Sequence, residues 1–552
     1  MPFWSSEKKL INLRMLLYTM NNDVALIPVD RARSNIEKRN KATDSLESPA
    51  GAHGAYAHSE DIERSRQANS ALLRPSNPIR LRTVVLASGD VIAFLLSVAV
   101  GFLATNLFRS AALNIHTPVE TGSFMLTTTM FLIPGLATMW LSWSWGHYTR
   151  FRPTWTEFQE ILKIVVYVFV ADIVVLFLLN LAFSRLWIGF FILSLAILMP
   201  VMRHFSRSLM IRFGCWMKST YVVGTGSNAK MTAIALESDV ALGHRVDGFI
   251  NLDEPSLVPD RLMGRQVVHG VPDSYTDKRV FDERPCLVFA FDSLSELNTH
   301  RAVVNKYLAA SPYATISPPI SGLPLYGSEI LTVFKQDAVL LKLQNSINNP
   351  RARFVKRTFD IVCSALLLLA ISPVMLALFC LIRRDGHAAT YSHKRIGRHG
   401  KTFHCLKFRS MVVNGDSVLE KHLIENALAR AEWEASRKLV DDPRVTRIGQ
   451  ILRKSSLDEL PQLWNVLKGD MSLVGPRPIV EDEVIQYGDY FSSYLSMTPG
   501  ITGLWQTSGR SDTTYSERVL LDVWYARNWS LWHDVVILLR TVPSLLTQEG
   551  SR

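Results

Sequence analysis

Five long apolar segments set the main constraint on how this chain folds. They cover roughly residues 83–108, 122–145, 161–183, 186–202 and 361–382. Each is near the ~20 residues that a helix needs to cross the hydrocarbon of a bilayer. The chain is 20% charged, yet its mean hydropathy is +0.12, which is high for a soluble protein. Part of the chain is therefore predicted to lie in lipid.

Basic residues at the ends of the first four segments predict their orientation. Positive charge is concentrated before the first segment, between the second and third, and after the fourth, as in cytoplasmic loops. The other two loops carry mainly Arg109 and Arg185. We expect a multi-pass, four-span helical bundle over 81–204, with both ends cytoplasmic. The basic residues concerned are Arg74, Arg80, Arg82, Arg150, Arg152, Lys163, Arg203, Arg207 and Arg212.

The fifth segment contains Ser372-Pro373 near its middle and has basic pairs at both ends. A fifth crossing would put the charged C-terminal part outside the cell, away from nucleotide sugars, and basic flanks on both sides also disfavour crossing. Proline removes one helical hydrogen bond, and the serine hydroxyl can satisfy the carbonyl that is freed. The sequence predicts a re-entrant helix-break-helix hairpin over 359–383, although local sequence alone equally permits a kinked ordinary span.

Two further regions flank and follow the bundle. Residues 1–80 lack a sustained apolar period and a signal peptide, and are predicted to be a disordered cytoplasmic tail. Residues 215–343 alternate short apolar runs with helical stretches, which predicts a Rossmann-like α/β domain. Its Gly224-Thr225-Gly226 turn lacks the third glycine of a dinucleotide-binding turn. Cofactor binding and a degenerate structural or regulatory role both remain open.

The net charge of +11 suits nucleic acid, anionic lipid or a phosphorylated substrate. A dense basic stretch that includes Lys407 and Arg409 lies directly after the fifth apolar segment. A cationic surface beneath a membrane favours anionic lipid and diphosphate substrates, so no nucleic-acid partner is expected. Lys407 and Arg409 have apolar and aromatic neighbours and are the better candidates for binding substrate.

Asp458 and Glu459 are the candidate catalytic residues. Adjacent acids do not share one helical face, so one can attack phosphorus while the other binds a divalent metal such as Mg²⁺. Arg453 and Arg477 would neutralise phosphoryl oxygens and relieve the repulsion between a carboxylate and a diphosphate. Pro476 and a second proline hold Arg477 in a stiff loop. The competing interpretation is a solvated acidic helix start.

Several stretches together resemble the bacterial sugar transferase family, the monotopic polyprenyl-phosphate phosphoglycosyl transferases, in its long form. They are Lys356-Arg357, Ser372-Pro373, Lys407-Phe408-Arg409-Ser410-Met411, Asp458-Glu459, Gly475-Pro476-Arg477-Pro478 and Pro499-Gly500-Ile501-Thr502-Gly503. The resemblance covers about the last two hundred residues and implies a mainly helical catalytic domain over 351–552.

The resemblance also implies a reaction. Asp458 would attack the sugar-bearing phosphate of a UDP-hexose, expel UMP and form a covalent phospho-sugar, which undecaprenyl phosphate then accepts. Glu459 would help to bind Mg²⁺, and Arg477 would contact phosphate or nucleotide. The C-terminal stretch is most similar to galactose phosphotransferases, which favours galactose over glucose. The family starts exopolysaccharide, capsule or O-antigen units on the cytoplasmic face, so the resemblance also implies that the membrane is a bacterial inner membrane.

Two rival interpretations belong to other classes of protein. One is a membrane-anchored nucleotide or redox sensor that uses the Gly224-Thr225-Gly226 turn. The other is a multipass transporter or chain regulator, which the few charges within the spans, Asp90 and Asp172, disfavour. The sequence leaves a homodimer open.

Overall fold

A computed structural model describes most of the chain from residue 78 onward. The described residues are 78–113, 124–178, 185–253, 259–271, 285–310, 315–320, 322–332, 339–343, 346–436, 439, 441–508 and 514–546. They form two compact units, one within residues 22–319 and the other mainly within 320–552. The predicted tail lies outside the described residues except for 78–80, which begin the first helix.

Helices occupy all four apolar segments of the first unit. Their bounds are α1 (Pro78–Leu113), α2 (Phe124–Ser144), α3 (Thr154–Leu178) and α4 (Arg185–Arg212). By length and composition, three helices in the described part of the chain can cross a membrane: α1, α4 and a later helix that begins at Pro350. Since α2 and α3 are not among them, four crossings stay a prediction.

A buried ion-pair network joins the helices of the bundle. The Arg203 guanidinium is 2% exposed and donates to both Asp90 carboxylate oxygens, at 2.9 and 2.7 Å. It also donates to Glu157, which pairs in turn with Arg207. Tyr148 donates its hydroxyl to Asp90 at 2.7 Å. Asp90 is therefore a neutralised contact between α1 and α4 rather than an isolated intramembrane charge.

The remainder of the first unit is a parallel α/β sheet. Its strand order is β3-β4-β2-β1-β5-β6, parallel except for the β3–β4 pair. Apolar side chains such as Val222, Phe249 and Leu287 are fully buried in its core. The elements are β1 (Lys218–Val223), α5 (Ser227–Ser238), β2 (His244–Asn251), β3 (Arg261–Leu262), β4 (Arg265–His269), β5 (Cys286–Phe289), α6 (Leu294–Thr299), α7 (Arg301–Ala310) and β6 (Thr315–Ile316).

The second unit begins with a small hairpin, β7 (Glu329–Thr332) and β8 (Val339–Lys342), which forms a sheet of its own. The sequence predicts these residues within the middle domain, whereas the structure separates them from its sheet. The other elements are α8 (Pro350–Ile382), β9 (Thr390–Ile396), β10 (Thr402–Phe408), α9 (Gly415–Glu425), α10 (Ala427–Ser436), α11 (Arg447–Lys454), α12 (Gln462–Lys468), β11 (Ser472–Val474), α13 (Val484–Tyr487), α14 (Phe491–Leu495), β12 (Gly500–Thr502), α15 (Tyr515–Arg527) and α16 (Leu531–Leu546).

Helix α8 runs without a break through Ser372 and Pro373. Proline cannot donate to the carbonyl four residues earlier, which belongs to Leu369. The Ser372 hydroxyl donates to that carbonyl at 2.8 Å and so satisfies it. Helical secondary structure therefore continues across the predicted break, and the predicted role of the serine hydroxyl is present. A re-entrant path of this helix stays a prediction.

Both ends of α8 pack against the same unit. At its start, the Lys356 ammonium donates to the fully buried Asp534 carboxylate at 2.8 Å. At its end, Ile382 is 6% exposed within an apolar cluster that includes Phe408 and Leu452. Between them, Leu369 has 75% of its surface exposed, an apolar patch in the middle of the helix.

We expect Asp90→Asn to destabilise the bundle because it leaves Arg203 buried with one fewer compensating charge. The free energy of unfolding should fall by about 3–5 kcal/mol, measured by thermal melting of the purified protein in detergent. The control is His204→Gln, an exposed neighbour of Arg203 on α4. Equal melting temperatures for the two variants would contradict a stabilising role of the ion pair.

Candidate active site

A cavity of ≈ 1610 Å³ lies in the second unit and contains most of the predicted site residues. Its described lining includes eight Lys or Arg side chains and three Asp or Glu side chains, among them Asp458 and Glu459. Apolar residues of α8, Leu367 and Ile371, complete one wall. The cavity is therefore strongly cationic, with an acidic pair inside it and one lipid-compatible wall.

A strained turn presents Asp458 and Glu459. Helix α11 ends at Lys454, and Ser456 then adopts φ 56, a left-handed conformation that costs a non-glycine residue energy. A single 3-10 turn over Leu457–Glu459 follows. Leu457 and Leu460 pack against the apolar cluster around Leu452. The turn thus anchors its leucines in the core and directs the two acids to the cavity.

Lys407, at the end of β10, lies between the two acids. Its ammonium is 2.6 Å from a Glu459 oxygen and 3.7 Å from an Asp458 oxygen. Asn465 of α12 fixes the position of β10, because its side chain accepts from the Leu406 amide at 3.0 Å and donates to the His404 carbonyl at 2.8 Å. The lysine can neutralise the pair while the ammonium stays partly solvated.

Opposing effects act on the Asp458 carboxyl. Burial raises its pKa above the ordinary value, and the nearby Glu459 charge adds to that rise. Lys407 and Arg453 lower the pKa and so favour the charged form. With 13% of its side chain exposed, Asp458 is a partly desolvated carboxylate held in a cationic site. Such a group is suited to nucleophilic attack on an electron-poor centre.

Arg453 and Arg409 both line the cavity, but they have different hydrogen-bond partners. Arg453 donates through Nε to the Ser410 hydroxyl at 2.9 Å, and its charge acts on Asp458. Arg409 instead donates to Asp385 at 2.6 Å and to the Ile382 carbonyl at 3.2 Å, at the end of α8. The hydrogen bond from Arg409 lowers the pKa of Asp385 to about 2. Arg409 thus stabilises the end of α8, and it also lines the cavity.

The loop that carries Pro476 and Arg477 is held by backbone pairing with a second loop. Strands β11 and β12 pair in parallel, and the Gly500 amide donates to the Pro476 carbonyl at 2.9 Å. A Cβ atom at Gly500 would lie 2.1 Å from the Gly475 nitrogen, so the two backbones can approach only where glycine stands. Pro476 is buried, and its role is to hold the loop.

Arg477 extends from this loop over an aromatic ring. Its guanidinium carbon lies 5.7 Å from the centre of the Trp505 ring. Arg518 of α15 lies 5.1 Å from the same ring, so two cations contact one indole. Sequence analysis missed Arg518; the available signal was an arginine directly before the apolar Val519 and Leu520 of a helical stretch.

Trp529 belongs to the core. It is 4% exposed and its indole N–H donates to Asp534 at 3.2 Å. Tyr525 donates its hydroxyl to the other Asp534 oxygen at 2.6 Å. Trp529 is therefore a core residue rather than a residue that faces a membrane interface.

The donor set at the acidic pair fits Mg²⁺. The described residues contain no cluster of three or more His, Cys, Asp or Glu side chains that could hold a metal ion by themselves. Mg²⁺, however, is commonly held by one or two carboxylates together with substrate phosphates. The more exposed acid, Glu459, supplies one such carboxylate.

In the first unit, the Asp292 carboxylate lies at the Gly224-Thr225-Gly226 turn, in the place where a dinucleotide-binding domain holds a phosphate. Asp292 follows β5 and accepts hydrogen bonds from the Ser227 and Asn228 amides at 2.9 and 2.8 Å. These amides form the start of α5, where a dinucleotide phosphate would otherwise bind. A Cβ atom on Gly226 would lie 2.1 Å from Asp292 Oδ2. This arrangement favours a structural role for the turn over cofactor binding.

Comparisons with known protein families give two matches. The model of the bacterial sugar transferase family matches residues 351–548, the part of the chain that contains the cavity. The model of a CoA-binding domain matches residues 144–268, which include the first strands of the parallel sheet.

Curated relatives extend the match over most of the chain. It is 40% identical over 420 residues to the undecaprenyl-phosphate galactose phosphotransferase of Salmonella typhimurium, covering 75% of this chain and 87% of that protein. It is 35% identical over 473 residues to the UDP-galactose-lipid carrier transferase of Erwinia amylovora, covering 84% and 96%. The exopolysaccharide production protein ExoY of Sinorhizobium fredii is 51% identical over 197 residues, 36% of this chain and 87% of that protein.

Proposed function

The chain belongs to the bacterial sugar transferase family, and from this membership we propose that it transfers hexose 1-phosphate from a UDP-hexose to undecaprenyl phosphate and releases UMP. The names of two relatives favour galactose as the hexose and a polyprenyl carrier as the acceptor. The name of a third relative favours exopolysaccharide as the polymer that this step begins.

The observation that carries the proposal is the acidic pair within the cationic cavity. A carboxylate approaching a diphosphate is repelled unless cations neutralise the phosphoryl oxygens. Lys407 lies within 3.7 Å of both acids, and Arg453 is near enough to lower the pKa of Asp458. These are the charges that an attack on phosphorus requires.

The reaction proceeds in two displacements at one phosphorus atom. An Asp458 oxygen bonds to the sugar-bearing phosphorus, the bond from that phosphorus to the bridging oxygen breaks, and its electron pair leaves with UMP. An oxygen of undecaprenyl phosphate then attacks the same phosphorus and displaces the Asp458 oxygen, which becomes a carboxylate again. Lys407 and Arg453 stabilise the charge on the phosphoryl oxygens in both steps.

Mg²⁺ is the proposed cofactor, held by Glu459 and by substrate phosphates. When bound it would supply charge neutralisation of the diphosphate. Glu459 is suited to this role because one-third of its side chain is exposed, whereas Asp458 is more buried. Asp458 is thereby left to act as the nucleophile.

The path of α8 is part of the proposal. Its two ends pack against one unit, and its exposed apolar middle needs a nonpolar environment. We therefore propose that α8 enters and leaves the cytoplasmic leaflet, bent at Pro373, while α1 to α4 make four crossings. The wall formed by Leu367 and Ile371 then offers the acceptor lipid a way to the cavity.

Asp458→Asn should abolish UMP release because the amide cannot act as the nucleophile. The measurement compares UMP release from UDP-galactose and UDP-glucose by detergent-solubilised protein with Mg²⁺ and undecaprenyl phosphate. The matched control is Asp416→Asn, which changes another acid of the same cavity and should retain most of the activity. We expect release with UDP-galactose, with a rate at least 10³-fold lower in Asp458→Asn, as for loss of a nucleophile.

Three results would count against this proposal in different ways. Normal UMP release by Asp458→Asn would exclude this residue as the nucleophile. Release from UDP-glucose alone would leave the reaction in place and overturn the choice of galactose. Loss of activity in Asp416→Asn to the same extent would mean that cavity charge, rather than Asp458 itself, is what matters.

Lys407→Met should move the acid limb of the pH–rate profile, the range in which activity falls as the pH falls, to higher pH. The active form of Asp458 is the carboxylate, so activity falls as the pH falls through its pKa. Lys407 lowers that pKa, and its removal raises the pKa further. The profile of kcat/KM against pH is compared with that of Lys421→Met, an exposed lysine of α9. If the acid limb of Lys407→Met lay at the same pH as that of the wild-type protein, this would disprove the electrostatic effect of Lys407 on Asp458.

Cysteine labelling tests the path of α8. In a cysteine-free protein, Arg351→Cys and Arg384→Cys place thiols at its two exposed ends. Both should react with a membrane-impermeant maleimide in inverted vesicles and neither in intact spheroplasts. Ala112→Cys, near the end of α1, should show the opposite pattern. Labelling of Arg351→Cys and Arg384→Cys from opposite sides would establish a crossing helix.

A further inference from the structure

One wall of the cavity carries hydrogen-bond donors that the protein itself does not use. Within the described residues, Nε and Nη2 of Arg518, the hydroxyl of Tyr515 and the indole N–H of Trp505 are buried atoms without a hydrogen-bond partner. All three residues line the cavity. Arg518 as a whole is only 6% exposed. Buried donors without acceptors are costly, so a group of them indicates a ligand that accepts hydrogen bonds.

The geometry keeps these donors together. The Arg518 guanidinium carbon lies 4.8 Å from the Tyr515 ring centre and 5.1 Å from that of Trp505. Thr514 and Glu517 form a capping box that fixes the first turn of α15, on which both Tyr515 and Arg518 stand. The donor positions are thus set before a ligand arrives.

Charge on this wall favours an anion. Arg477 and Arg518 both contact the Trp505 ring, and Arg518 has its nearest carboxylate, Glu483, at 3.8 Å from Nη1. The unpartnered Nε and Nη2 atoms are a different part of the guanidinium from that contact. Burial raises the pKa of Tyr515 to about 12, so its hydroxyl keeps its proton and can donate.

We propose that Arg518, Tyr515 and Trp505 form a phosphate pocket that binds the phosphate leaving with the nucleoside. This inference rests on the proposed function and adds residues to it. A nucleotide sugar has two phosphates, and the cations that line the cavity include two groups that suit them, Lys407 with Arg453 at the acidic pair and Arg477 with Arg518 at Trp505. The sugar-bearing phosphate occupies the first group. The second group binds the phosphate of the departing UMP. The oxygen that bridged the two phosphates stays on this phosphate and keeps the electron pair of the broken bond.

The test measures binding of UMP and uridine to full-length Asp458→Asn protein in detergent by isothermal titration calorimetry. Arg518→Gln should weaken UMP binding about 10- to 100-fold, as for lost charge-assisted hydrogen bonds. Tyr515→Phe should weaken it about 3- to 10-fold and leave the melting temperature unchanged, because its hydroxyl has no protein partner. Neither change should affect the affinity for uridine, which lacks the phosphate.

Matched controls are Tyr391→Phe, another tyrosine of the cavity, and Arg447→Gln, an exposed arginine of α11. Both should bind UMP as the parent protein does. If Arg518→Gln does not fold, Tyr515→Phe decides alone. Unchanged UMP affinity in the folded variants, or equal losses for UMP and uridine, would overturn the phosphate pocket. Wild-type protein that released no UMP from any UDP-hexose would instead overturn the proposed function, and this inference with it.

Discussion

The buried carboxylate of Asp534 connects the elements on which the catalytic unit depends. It accepts from Lys356 at the start of α8, from Tyr525 on α15 and from Trp529 in the turn before α16. The Tyr525 hydroxyl also lies 3.1 Å from the Val474 carbonyl oxygen at the end of β11, directly before the Arg477 loop. The apolar helix α8 and the loop that carries Arg477 are therefore tied to one fully buried charge. Since such a charge is tolerated only with complete pairing, these elements assemble together or not at all.

The cavity resolves a conflict between two requirements of the proposed reaction. The nucleophile must be negative, yet its target carries negative charge as well. Cations lie on two sides of the cavity and can reduce this repulsion. Lys407 approaches the acids from β10, while Arg477 and Arg518 lie around Trp505. The strained Ser456 conformation shows that the turn holding the acids is set by the surrounding packing, since that backbone is unfavourable by itself.

The parts of the fold that depend on local pattern could be predicted from the sequence. The apolar helices and the α/β sheet follow from segment length and alternation, whereas the ion pairs of Lys407 with Asp458 and Glu459 were not predicted. Contacts between distant residues could not be predicted in this way. Arg203 was interpreted as a flanking charge, because nothing nearby in the sequence indicates that it faces Asp90, 113 positions earlier. Arg409 was assigned to substrate, but the end of α8 offers it a carbonyl and a carboxylate. The Asp292 carboxylate at the glycine turn depends likewise on the neighbouring strand.

The pairing of Asp90 with Arg203 has a consequence for how the protein is made. At about 5–20 residues per second, the ribosome needs roughly 6–23 s to add the residues that separate them. During that interval the first apolar helix carries a carboxylate whose partner does not yet exist. A carboxylate buried without a partner is costly, so α1 cannot take its final packed position before α4 has been made. Formation of the bundle is in this way a joint event of α1 and α4 rather than a succession of independent ones.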